Sequence, residues 1–187
     1  EALAKYQDYE LVSVEKADLS KVEKFADQKE EKQKKSLSKD DEKSFDKLLR
    51  RIKDILGEKV TEVKESKRLT DSPACLVSPD GTMTSGMQRI MQLMNKDDSI
   101  PQKVMEINKD HPLVRNLLMI YKNDVNDPHL IRVSEQLFES SLLLEGYLKD
   151  AHTMVNRIEK LLETSTEWYV KEKTPPAKKT TTKKKSN

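Results

Sequence analysis

From Ser44 onward the apolar residues fall into periodic groups separated by polar turns. Phe45, Leu48, Leu49, Ile52, Ile55 and Leu56 recur every three or four positions, which predicts one buried helix face. Ser38 and Asp41 before this stripe suit a capping box, and Gly57 after it suits a helix stop. "KVTEVKES" and, beyond a polar loop with Pro73, "ACLVS" predict two strands. "SPDG", residues 78–81, places proline and glycine where a type I turn takes them. Met83, Met87, Ile90, Met91 and Met94 follow at helical spacing, with Thr82 or Thr84 as N-cap and Gly86 weakening the first turns. "QKVMEIN" predicts a third strand and "DHPLVRNLLMIY" a further helix. Asp127 and Pro128 suit the N-cap and first position of the next helix, whose broad face holds Leu130, Val133, Leu137, Phe138, Leu142 and Leu144. Asp150 opens a last helix with Met154, Val155, Ile158, Leu161 and Leu162 as its stripe.

Ahead of these elements the pattern is weaker. Residues 11–14 read as a short strand, and residues 19–35 as a solvent-exposed charged helix with opposite charges three or four apart. The expected order is helix, two strands, helix, strand and three helices. That is an α+β domain with a small three-stranded sheet and a helical C-terminal half.

Composition agrees with partial solvation. Apolar residues make up 35% of the 187 and charged ones 36%, with four glycines and seven prolines, so helix should dominate and part of the chain should lie outside any core. The mean hydropathy of −0.81 points the same way. No apolar run approaches a membrane span and no secretory pattern opens the chain. The chain starts at Glu1 without an initiator methionine, so upstream residues are expected. The net charge of +2 hides an asymmetry: residues 171–187 carry +6, and the rest carries −4. A basic surface therefore belongs to the tail alone. Cys75 is the only cysteine, which excludes an internal disulfide and fits a reducing compartment; its place in "ACLV" predicts a packed, shielded thiol.

Catalytic chemistry is thin. His111, His129 and His152 are not spaced as metal ligands, and the two beside prolines read as helix-start residues. There is no glycine-rich phosphate loop, and Cys75 has no adjacent basic residue. The segment reads as a binding or assembly module, not an enzyme. One candidate is a helical scaffold whose basic tail touches nucleic acid or an acidic membrane, although residues 171–187 hold no aromatic side chain to stack on bases. Two features remain over: the last two helices are very apolar for a domain this small, and the methionine face lacks an evident partner. Spacing alone leaves that face as either core or a partly exposed binding surface, for which flexible methionines are suited.

"KSFDKLLRRIKDILGEKVTEVKESKRLTDSPACLVS", followed by "MQRIM", "INKDHPLV" and "MVNRIEKLL", resembles the C-terminal domain of the ninety-kilodalton heat-shock chaperone family. "RLTDSPA", residues 68–74, is the most specific piece, and "LVSVEKADL" resembles the end of that family's middle domain. The resemblance divides the chain into a middle-domain end (1–20), a charged helical linker (21–40), a dimerisation domain (41–168) and a disordered Lys-rich tail (169–187). It implies a homodimer whose last two helices form a four-helix bundle with those of its partner. The interface set would be Leu137, Phe138, Leu142, Leu144, Met154, Val155, Ile158, Leu161 and Leu162. It further implies that Met83, Met87, Ile90 and Met91 face the cleft and hold non-native client proteins, with Met94 added by spacing. The family's ATP and magnesium site and its catalytic arginine lie in other domains, so this segment is expected to hold no cofactor and no metal. The chain ends "KKKSN", without the acidic pentapeptide of eukaryotic cytosolic relatives or a retention signal. It therefore resembles the bacterial, cytoplasmic type, with an organellar member as the alternative, and no acidic-tail co-chaperone, nucleic acid or membrane is expected as partner.

Overall fold

A computed structural model of the chain describes residues 5–11, 39–79, 82–96 and 99–173. These form two compact units, the first ending at Lys149 and the second beginning at Asp150. Strands β1 (Lys5–Tyr6) and β2 (Tyr9–Glu10) pair antiparallel, with Tyr6 opposite Tyr9. The sequence reading expects no hairpin there. Gln7 makes the turn at a φ of 52°, without the glycine or asparagine that would announce it. The strand expected at 11–14, except Leu11, and the helix expected at 19–35 lie outside the described residues.

Helix α1 (Lys39–Leu56) buries Phe45, Leu48, Leu49, Ile52 and Leu56, with Ile55 half-buried. Ser38, one half of the expected capping box, lies outside the described residues. The helix ends where Gly57 takes a left-handed φ of 55°, and Lys53 Nζ donates to the Gly57 carbonyl at 2.6 Å. A single tight turn leads into β3 (Val60–Glu65). Strands β4 (Ala74–Val77) and β5 (Lys103–Ile107) complete a sheet of order β3-β5-β4. The pairing is mixed: β3 runs parallel to β5 and β4 antiparallel to it. The central strand β5 is buried at all five positions.

Between β4 and β5 lies helix α2 (Ser85–Asn95). After β5 come α3 (Pro112–Asn123) and α4 (Pro128–Glu145). His111 caps α3, its Nδ1 accepting from the Leu113 amide at 3.1 Å; Asp127 caps α4, its Oδ1 accepting from the His129 amide at 2.7 Å. Helix α1 packs on β3, α4 packs on β4, and α1, α3 and α4 pack on one another. Leu130, Val133, Leu137, Phe138 and Leu142 of α4 are buried in the described structure. Ser134 and Ser141 are also buried, and their hydroxyls donate to the carbonyls of Leu130 and Leu137, so neither is left unsatisfied.

The loop from β3 to β4, which contains "RLTDSPA", is held by polar side chains of β5 and its extension. Glu106 is buried, accepts from the Ser66 hydroxyl at 2.9 Å, and pairs with Arg68 at 3.0 Å. Asn108 donates from Nδ2 to the carbonyls of Thr70 and Ser72, and its amide donates to the Pro73 carbonyl. The irregular loop thereby gains partners for its carbonyls that a sheet would otherwise supply.

The described part of the second unit is helix α5 (Ala151–Lys173). Asp150 opens it, accepting from the His152 amide at 2.8 Å. The helix continues to Lys173, past residue 169, where the sequence reading starts the tail; residues 174–187 lie outside the described ones.

Candidate functional site: an outward-facing methionine helix

Thr84, not Thr82, is the N-cap of α2, and its side chain accepts from the Met87 amide. Met83 precedes that cap, so it lies beside the helix rather than on it. Within the helix, Met87, Ile90, Met91 and Met94 lie on one side, and Gln88, Arg89 and Gln92 on the other. The usual amphipathic helix turns its apolar side inward. Here that order is reversed. Met83, Met87, Ile90, Met91 and Met94 are 39–75% exposed, and Leu93, which the sequence reading omits, is 78% exposed.

The polar side makes the attachments. Gln88 Oε1 accepts from Lys103 Nζ at 2.8 Å and faces the Ser78 hydroxyl at 3.4 Å. Gln92 Nε2 donates to the Ser99 carbonyl. The guanidinium of Arg89 lies against Gly146, the left-handed cap of α4 (φ 73°); a Cβ there would stand 2.8 Å from Arg89 Nη2. A cavity of about 490 Å³ opens beside this contact, lined among others by Arg89, Leu93, Lys96, Tyr147 and Lys149.

The expected interface residues divide into two groups. Leu137, Phe138 and Leu142 of α4 are buried in the described structure, and Met154 is the buried residue of α5. The apolar character of α4 reflects its place on the sheet as well as any partner. Leu144 is 81% exposed, Val155 and Leu162 are exposed, and Ile158 and Leu161 are half-buried. The structure adds exposed residues that the sequence reading passed over: Leu143 on α4, and Trp168, Tyr169 and Val170 on α5. On α5, Trp168 and Tyr169 continue the heptad spacing of Leu161 and Leu162 by one further repeat.

Cys75 is half-buried rather than shielded, because it points to the sheet face opposite Ala74 and Leu76 and pairs with Glu106 across the ladder. Among the described residues no group of His, Cys, Asp or Glu is arranged to hold a metal. None of their helices is long and apolar enough to cross a membrane.

A small mixed sheet backed by helices, with an apolar helix face displayed to solvent, defines a domain of the α+β class. The family model described as Hsp90 protein matches residues 1–187, and the chain belongs to that family. It is similar to Chaperone protein HtpG of Oleidesulfovibrio alaskensis, 48% identical over 169 residues that cover 90% of this chain and 27% of the relative. The protein of the same name from Nitratidesulfovibrio vulgaris is 43% identical over 169 residues, covering 90% of this chain and 26% of the relative. That from Desulfitobacterium hafniense is 39% identical over 162 residues, covering 86% and 25%. The chain thus spans about a quarter of the length of these curated relatives.

Proposed function

We propose that this chain is the C-terminal dimerisation and client-contacting module of an ATP-dependent molecular chaperone of the HtpG type. The observation that carries the reading is the reversed amphipathic helix: α2 spends its polar side chains on attachment and presents Met87, Ile90, Met91 and Met94 to solvent. A soluble domain rarely leaves such a contiguous apolar face open without a partner. Methionine side chains are flexible and polarizable, so this face can repack against unrelated apolar segments of non-native proteins at modest affinity. Membership of the Hsp90 family supports the same assignment. ATP and magnesium belong, in this reading, to domains outside the segment, and the segment contributes holding and pairing instead of hydrolysis.

Pairing is supported by the exposed apolar residues of the last two helices, Leu143 and Leu144 on α4 and Val155, Leu162, Trp168 and Tyr169 on α5. A second copy of the chain would remove them from water, as obligate homodimer interfaces do. The deciding experiment follows aggregation of a chemically unfolded client by light scattering, with the unaltered chain and with Met87→Gln/Met91→Gln. The reading expects suppression by the first and a marked loss with the second at unchanged thermal midpoint. Equal suppression by both overturns the client assignment.

A further inference from the structure

Lys103 is the feature that the reading above does not use. It opens the central strand, yet it is only 1% exposed, among the largest fully buried side chains of the described structure. An ammonium group has three donors, and burying it is costly unless each finds an electron-rich partner. Nζ donates to Ser78 Oγ at 3.1 Å and to Gln88 Oε1 at 2.8 Å, and it sits 5.3 Å from the centroid of the Tyr147 ring. Those three groups come from three places: the end of β4, the inner side of α2, and the residue after the α4 cap. One buried charge therefore gathers the strand, the methionine helix and the end of α4.

We propose that Lys103 is a positioning residue, a polar latch that holds the methionine helix in register with the end of α4. This rests on the reading of α2 as the client-facing element, and deepens it. The physical consequence concerns release. A helix docked through an apolar face must expose that face to move, whereas α2 keeps its apolar face in water already. Lifting α2 exchanges the charge-assisted Gln88–Lys103 bond for bonds to water, so the latch contributes the net strength of that one bond and little else resists the movement. The helix is thus free to shift as a body while the sheet and its helices stay closed, the behaviour of a low-stability segment on a firm core. Arg89 against the Gly146 cap makes the same connection from the other side of the contact.

The test is hydrogen exchange, read peptide by peptide on the full chain, for Lys103→Met and Gln88→Leu separately and together. Lys103→Met keeps side-chain length and removes the charge; Gln88→Leu leaves the core strand untouched. The latch predicts that amides of α2 exchange roughly tenfold to a hundredfold faster in either variant, as expected for loss of one charge-assisted hydrogen bond. Amides of β5 should change less than about twofold, and the double variant should be no faster than the singles, since both remove the same contact. Unchanged α2 exchange in Gln88→Leu overturns the proposal, and so does acceleration spread evenly over β5, α1 and α4, which would make Lys103 merely structural. If Lys103→Met fails to fold, Gln88→Leu decides alone. Client suppression is measured on the same variants: faster α2 exchange with unaltered suppression leaves the latch standing and counts against the client assignment.

Discussion

Removing the carboxylate of Glu106 would take from the guanidinium of Arg68, itself 24% exposed, an anionic partner that is 3.0 Å away and 4% exposed. Breaking a buried pair from one side costs about 3–5 kcal/mol, far more than the pair itself contributes over a well-packed apolar replacement. Glu106→Ala should therefore lower the free energy of urea unfolding by about 3 kcal/mol and loosen the loop that carries Leu69 to Pro73. The pair between Lys109 and Glu65, 2.7 Å apart and open to water, behaves differently. The hydrogen bond to Glu65 holds the Lys109 ammonium above its ordinary 10.5, against a smaller opposing effect of burial. A raised folded pKa means that the contribution is complete below about pH 10.5 and fades as pH climbs through the folded value. The stability difference between the unaltered chain and Lys109→Met should thus be small and constant from pH 7 to 10, then shrink in more alkaline buffer. Neither burial of Glu106 nor that of Lys103 was legible in "QKVMEIN". A charged residue in a strand ordinarily marks the solvent face, whereas β5 is buried at all five positions and so on both of its side-chain faces.

The three strands and their flanking helices were legible, because apolar spacing and caps agree at each: "ACLVS" became Ala74–Val77, and Asp127 with Pro128 begins α4. Orientation was not. The spacing of Met87, Ile90, Met91 and Met94 is the same whether the stripe meets a core or water, and the deciding contacts come from Gln88 and Gln92 on the other side. The parallel pairing of β3 with β5 was equally hidden, since periodicity carries no register. The orientation of α2 has a direct consequence for stability. Truncating a buried methionine costs about 2–5 kcal/mol, through lost transfer energy and the cavity left behind. Met87 at 39% and Met91 at 41% exposure have little surrounding protein to lose. Met87→Ala/Met91→Ala should accordingly move the unfolding midpoint hardly at all while weakening suppression of client aggregation. A loss of several kcal/mol with client holding intact would return these residues to the core.

The proposed pairing of two copies is tested by where a charge is placed, because buried and exposed apolar residues of the last helices respond to it differently. Leu137 is buried within the chain, whereas Leu144 and Leu162 are 81% and 58% exposed. Aspartate at Leu137 would place a charge in the protomer core, so the expected result is unfolding whatever the oligomeric state. Aspartate at a position that is exposed, as Leu144 and Leu162 are, or half-buried, as Ile158 is, disturbs an isolated protomer far less and acts chiefly where a second copy covers it. Ile158→Asp/Leu162→Asp, and independently Leu144→Asp, should therefore halve the mass measured by light scattering at micromolar concentration while the helical circular dichroism signal persists. Trp168 supplies a native reporter, because it lies on the continuation of the same stripe and is 62% exposed in one chain. Its fluorescence should shift to longer wavelength as the unaltered protein is diluted through its dissociation range, and should start at the longer wavelength in the aspartate variants. A folded Ile158→Asp/Leu162→Asp variant that retains twice the chain mass across dilution would move the interface away from α5 altogether.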